Sequence, residues 1–121
     1  MIHLFVRSKN LLLAPRVFIG APPKASCRDG MRILDAGRGA GGACIEASKI
    51  GCEITGIDAS TALLEITRTR LPTARFQEAD LECLPFGDSE FDAVIAVNSV
   101  LYAVDMAQAM KEVAQVARPV G

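Results

Sequence analysis

Arg32-Ile33-Leu34-Asp35-Ala36-Gly37-Arg38-Gly39-Ala40-Gly41-Gly42 decides how the rest of the chain is read. The stretch predicts a short buried strand with an acid at its end, a glycine-rich turn, and a helix beginning near Gly41. A strand that enters a helix through glycines leaves the first helical N–H groups unpaired. A nucleotide or a carboxylate can then approach that backbone closely. On its own the glycine pattern is compatible with many ligands, so the ligand has to be read from the residues that flank it.

Downstream, Cys44, Ile45, Ala47 and Ile50 recur at helical spacing, and Gly51 stops the helix. Glu53 to Ile57 predicts a second strand ending at Asp58, and Ser60 is the N-cap of a helix reaching about Thr69, with Leu63, Leu64 and Ile66 buried. Ala74 to Glu78 predicts a third strand leading to Asp80, and Leu84-Pro85-Phe86-Gly87-Asp88 is a loop. Phe91 to Val97 is a continuous apolar run, the kind of strand buried on both faces of a parallel sheet. Met106 to Ala117 is a helix with Met110, Val113 and Val116 on one side, ended by Pro119. This alternation is the grammar of an α/β fold: a three-layer, doubly wound, Rossmann-like and mainly parallel sheet. In such a sheet ligands bind outside the carboxyl ends of the strands.

Upstream, Ile2 to Val6 and Leu11 to Ile19 are apolar runs that periodicity does not assign to strand or helix, and Gly20-Ala21-Pro22-Pro23 marks the end of the second run. The division expected is a basic arm over residues 1–28 and a core over 29–121. Residues 1–40 hold seven basic and two acidic side chains, a local charge of +5, against six basic and twelve acidic over 41–121, a local charge of -6. Such an arm either binds nucleic acid or an anionic surface, or docks on the acidic body. With 13 basic residues among 121, the chain as a whole is not a general nucleic-acid binder.

Cys27, Cys44, Cys52 and Cys83 lack Cys-x-x-Cys spacing, and the single histidine, His3, lies far from them in sequence. Neither a metal site nor a disulfide framework is expected, and reduced thiols imply a cytoplasmic setting. No apolar run approaches the length of a membrane span, and Arg7, Lys9 and Arg16 interrupt any leader-like stretch at the start.

The strand ends converge on one rim. Asp35 precedes Gly37, Gly39 and Gly41, and Asp58, Asp80 with Leu81, and Asn98 come at the ends of the later strands. Asp58 comes 19 residues after Gly39 (58 minus 39), the spacing at which an acid ending the second strand accepts hydrogen bonds from ribose hydroxyls. Taken singly, each has a plain structural role: Asp58 caps the Ser60 helix, Asp80 caps a turn, and Asn98 holds a loop. Their joint occurrence at successive strand ends is what points to a nucleoside-like ligand.

These residues resemble the class I S-adenosylmethionine-dependent methyltransferases, most closely the small-molecule group that includes the quinone-biosynthesis enzymes. The matching stretches are Gly30 to Gly39, Gly56-Ile57-Asp58-Ala59-Ser60, Glu78-Ala79-Asp80, Leu84-Pro85-Phe86, Phe91-Asp92 and Val116 to Gly121. The resemblance implies S-adenosylmethionine as cofactor. It implies Asp35 near the α-amino group, the Gly37, Arg38, Gly39 and Gly41 backbone beneath the methionine portion, and Asp58 on the ribose hydroxyls. Asp80 would then accept from the adenine amino group, with Leu81 and Ala59 beside the ring and Asn98 facing the methyl. Arg38 stands where the family usually has a small residue. No general base is assigned, because His3 lies outside the matched stretches and Tyr102 reads as a packing residue.

The resemblance also implies a chain shortened at its C-terminus, which would leave Phe91 to Val97 as an apolar sheet edge. Such an edge invites pairing. Either the N-terminal arm or a second copy, in a homo-oligomer, is expected to cover it. The acceptor is expected to be a small molecule, or RNA reached through the basic arm. Two other readings share the glycine turn: an S-adenosylmethionine-binding module or pseudoenzyme, and an NAD-dependent oxidoreductase.

Overall fold

A computed structural model describes residues 17–18, 27–36, 41–96 and 103–119. Its strands are β1 (Val17–Phe18), β2 (Arg32–Asp35), β3 (Glu53–Asp58), β4 (Arg75–Glu78) and β5 (Ala93–Ile95), and its helices are α1 (Gly41–Ile50), α2 (Thr61–Arg70) and α3 (Met106–Val116). The five strands form one sheet in the order β1-β5-β2-β3-β4, and every pairing is parallel. From β2 the chain moves outward to β3 and β4, then returns to place β5 on the other side of β2. That reversal between β2 and β5 is the topological switch point of a doubly wound sheet.

Alternation along the apolar strands sends side chains to two separate cores. Leu34, Ile57 and Val94 face one side with Val113 and Val116 of α3, whereas Ile33, Ile54 and Ile95 face the other with Cys44 and Ala47 of α1. Helix α2 lies beside α1, so the sheet is the middle of three layers. Burial on both faces explains why the strands read as continuous apolar runs.

Capping sets the helix limits. The Ser60 hydroxyl accepts from the Leu63 N–H at 3.3 Å and opens α2, with Arg68 and Arg70 in its last turn, where the helix dipole favours cations. Asp105 does the same for α3, accepting from the Gln108 N–H at 3.0 Å. Helix α1 ends in a Schellman motif: Cys52 N–H donates to Ala47 O at 3.1 Å and Gly51 N–H to Ser48 O at 3.0 Å, with Gly51 at φ +103°. Gly51 is thus required by conformation, and β3 begins two residues later.

At its edge the sheet takes one of the two arrangements expected, cover by the arm. β5 is interior, because Val17 and Phe18 of the arm pair in parallel with Val94 and Ile95. Val17 is completely buried. The arm therefore covers the strand expected to be exposed. Within the described part of the Phe91–Val97 run, β5 takes only Ala93–Ile95: Phe91 instead bridges to Ala117, with its N–H bonded to Val116 O at 2.9 Å. Val97 lies outside the described residues. On α2, Leu64 is buried, but Leu63 and Ile66 are 38% and 53% exposed rather than buried as the apolar pattern suggests. Leu63 instead faces a cleft at the carboxyl ends of the strands.

Candidate functional site

The carboxyl ends of β2, β3 and β4 open into a cleft of about 450 Å3. Its floor is Ala36 and Ile57, its β3 wall is Asp58, Ala59 and Ser60, and its β4 wall is Ala79, Asp80, Leu81 and Glu82. Leu63 from α2 and Ala103 and Val104 from the approach to α3 complete it. The volume falls in the range of roughly 300–1,000 Å3 typical of small-molecule sites.

Two carboxylates in this cleft are held by turns of the same type. Asp58 Oδ1 accepts from the Ser60 N–H at 2.9 Å, and Asp80 Oδ1 accepts from the Glu82 N–H at 2.9 Å. In each case an aspartate bonds the backbone two residues on, an Asx turn that fixes the carboxyl group relative to the strand end. The backbone joins the two as well, since the Ala79 N–H donates to Asp58 O at 3.1 Å. Glu82 is a third carboxylate in the lining, and its Oε2 accepts from the Val104 N–H at 3.1 Å. Among the described lining residues there is no lysine or arginine. The cleft is therefore acidic and part apolar, suited to hydroxyl and amino donors and unsuited to a phosphate.

Of the ten residues expected at the site, the structure brings Asp58, Ala59, Asp80 and Leu81 together in the cleft. Asp80 sits two residues beyond β4, in a turn bridged to Cys83. Asp35 ends β2 but is not part of the cleft lining. It is 2% exposed, and the Cys44 thiol of α1 donates a hydrogen bond to its carboxylate. Burial first, and then the Asp35 charge and hydrogen bond, push the Cys44 thiol well above the ordinary value of 9.0. Gly41 opens α1 as predicted. Gly37, Arg38, Gly39 and Asn98 lie outside the described residues, as do His3 and Tyr102.

Sequence reasoning missed Glu82, Leu63 and the Ala103–Val104 wall. Glu82 had one legible signal, its place two residues after an aspartate in a turn. Val104 had none, because its position depends on contacts distant in sequence.

Comparison with known proteins agrees with this geometry. Residues 33–121 match the family described as "Methyltransferase domain". The demethylmenaquinone methyltransferase of Chlorobaculum parvum is 38% identical over 91 residues, which cover 74% of this chain and 38% of that protein. The crystal structure of the YcgJ protein from Bacillus subtilis superposes with a TM-score of 0.69 at 32% identity, covering 76% of this chain and 42% of that one. An S-adenosylmethionine-dependent methyltransferase from Mesorhizobium loti gives a TM-score of 0.67 at 29% identity, over 79% of this chain and 47% of that one. The chain spans less than half the length of each of these relatives. A parallel sheet with its switch point beside an acidic, nucleoside-sized cleft, together with a family match over most of the chain, leads to one assignment. This chain belongs to the methyltransferase domain family, whose cofactor is S-adenosylmethionine.

Proposed function

We propose that the chain forms the cofactor-binding core of an S-adenosylmethionine-dependent methyltransferase that acts on a small organic acceptor. One observation carries the reading: two turn-fixed carboxylates, Asp58 and Asp80, flank a cleft whose described lining has no cation. The cofactor's polar groups at this end are a ribose diol and an exocyclic amine, both donors that carboxylates accept from. NAD would also set a ribose on Asp58, so what disfavours the oxidoreductase reading is Asp35 just ahead of the glycine turn and the second acid, Asp80, just past β4.

In this reading Asp58 holds the ribose hydroxyls and Asp80 the adenine amine, with Leu81 and Ala59 packing beside the ring. Asp35, Gly37, Arg38, Gly39, Gly41 and Asn98 are assigned to the methionine end. When bound, the cofactor supplies a methyl group already activated by its sulfonium. The chain's own task is then alignment of donor and acceptor, an effect that can contribute about 7–11 kcal/mol. No side chain is assigned as a base. The described cysteines are free thiols, in keeping with a cytoplasmic setting. No described helix is long and apolar enough to cross a membrane.

A small-molecule acceptor is supported by the likeness to the demethylmenaquinone methyltransferase. The charge of +5 over residues 1–40 favours RNA as the competing acceptor. Because β1 occupies the β5 edge, a second copy is not needed there, and a homo-oligomer would use another surface. Methyl-labelled cofactor incubated with a cell extract, followed by separation of small molecules, RNA and protein, tests the reading. Label in the small-molecule fraction that is lost in Asp58→Ala is the expected result. Label in RNA, lost when Arg7, Lys9 and Arg16 are neutralised, would replace the acceptor class. Cofactor binding with no transfer to any fraction would favour a binding module or pseudoenzyme.

A further inference from the structure

The loop from Asp80 to Ser89 is clasped onto α3 by a polar stripe. Gln108 Nε2 donates to Glu82 O at 3.1 Å, Glu112 Oε1 accepts from the Leu84 N–H at 2.7 Å, and Gln115 Nε2 donates to Asp88 Oδ1 at 2.7 Å. Residues 108, 112 and 115 lie on one helical face, so a single face of α3 grips the whole loop. The clasp reaches the cleft at one residue. Glu82 receives Gln108 on its backbone carbonyl, receives Val104 N–H on its carboxylate at 3.1 Å, and gives its own N–H to Asp80. Asp80 and Val104 lie in different walls of the cleft, and both are cleft-lining residues. Val104 is 99% exposed, so its own side chain supplies no packing; Ala103 before it packs on the core and Asp105 after it caps α3. The hydrogen bond from the Val104 backbone to Glu82 is what ties this wall directly to the Asp80–Leu81 wall.

We propose that Glu82 is a positioning residue for the nucleoside end of the cofactor. It sets the spacing between the Asp80–Leu81 wall and the Ala103–Val104 wall without contacting the reacting atoms. This rests on the S-adenosylmethionine reading of the cleft. The Glu82 carboxylate acts as a hydrogen-bond acceptor for the Val104 N–H, so an amide oxygen at the same place can replace it, whereas a methyl group cannot.

The test uses the full chain, with calorimetric titration of S-adenosylhomocysteine and of adenosine, and amide hydrogen exchange at Val104. Glu82→Ala is expected to weaken both ligands by about tenfold, the scale of one charge-assisted hydrogen bond, and to remove protection of the Val104 amide. Glu82→Gln is expected to restore both affinities to within about threefold of the parent. Equal weakening of the two ligands is the signature of a nucleoside-end effect, and the folded fraction of Glu82→Ala, measured by urea unfolding, separates it from a general loss of structure. Unchanged affinity in Glu82→Ala, or a loss accounted for entirely by a smaller folded fraction, overturns the proposal. If the parent protein binds no S-adenosylhomocysteine, the cofactor reading fails and takes this one with it. A Val104 amide protected in the parent, alongside weakened and glutamine-rescued binding, can arise only if both hold.

Discussion

Replacing Gly51 with alanine should destabilise the protein by about 2 kcal/mol, through two separable causes. Gly51 closes the Schellman motif of α1 at φ +103°, a conformation that L side chains rarely adopt, and this alone costs roughly 1–2 kcal/mol. A Cβ built on Gly51 also runs into the Asp29 carboxylate, which must move away. Asp29 is adjacent to the turn in which Gly30 N–H donates to Gly51 O at 3.0 Å, so the displacement disturbs the entry to β2 as well as the exit from α1. For a domain of this size, about 2 kcal/mol lowers the melting temperature by roughly 6–10 °C. Urea unfolding followed by circular dichroism measures the change. Adding Asp29→Ala to Gly51→Ala removes the collision and should recover part of the loss, leaving the backbone strain. A Gly51→Ala loss below about 0.5 kcal/mol would refute the reasoning, because the backbone cost alone should exceed it.

The same contacts give three further outcomes. Deleting residues 1–20 removes β1 and bares the β5 edge, so light scattering should detect self-association. A monomer of undiminished stability would show that the two-residue strand is dispensable. Cys44 is raised above the ordinary thiol value of 9.0 in the folded chain, so its stabilising contribution is complete below pH 9 and is lost as pH rises beyond it. Unfolding free energy should fall above pH 9 less steeply in Cys44→Ala than in the parent, and equal slopes would contradict the upward shift that burial, first, and Asp35 impose on this thiol. Asp80→Ala should weaken S-adenosylhomocysteine binding by at least about tenfold, since it removes an acceptor and releases the turn that holds Glu82. Unchanged binding in that calorimetric titration would remove Asp80 from the site.

What could be read in advance was the chemistry that is local in the chain. Ser60, Gly51 and Pro119 mark helix ends because caps and breakers act on their own neighbours. Asp58 and Asp80 were legible for a related reason: each sits at or just past a strand end and bonds the backbone two residues on. Leu63 was misjudged because helical periodicity identifies apolar positions without saying which one meets a cleft. Glu82 and Val104 are 22 residues apart, and nothing in either segment announces the partner. The Asp35–Cys44 contact depends in the same way on how α1 is laid over the sheet. The arm held both possibilities, and the choice of β1 over a second copy came only from tertiary pairing.

Calorimetric titration of the chain with S-adenosylhomocysteine and, separately, with NAD tests the central claim most directly. The account predicts saturable binding of S-adenosylhomocysteine, weakened in Asp58→Ala, and no binding of NAD. Binding of NAD in preference, or S-adenosylhomocysteine binding that is indifferent to Asp58→Ala, would contradict it.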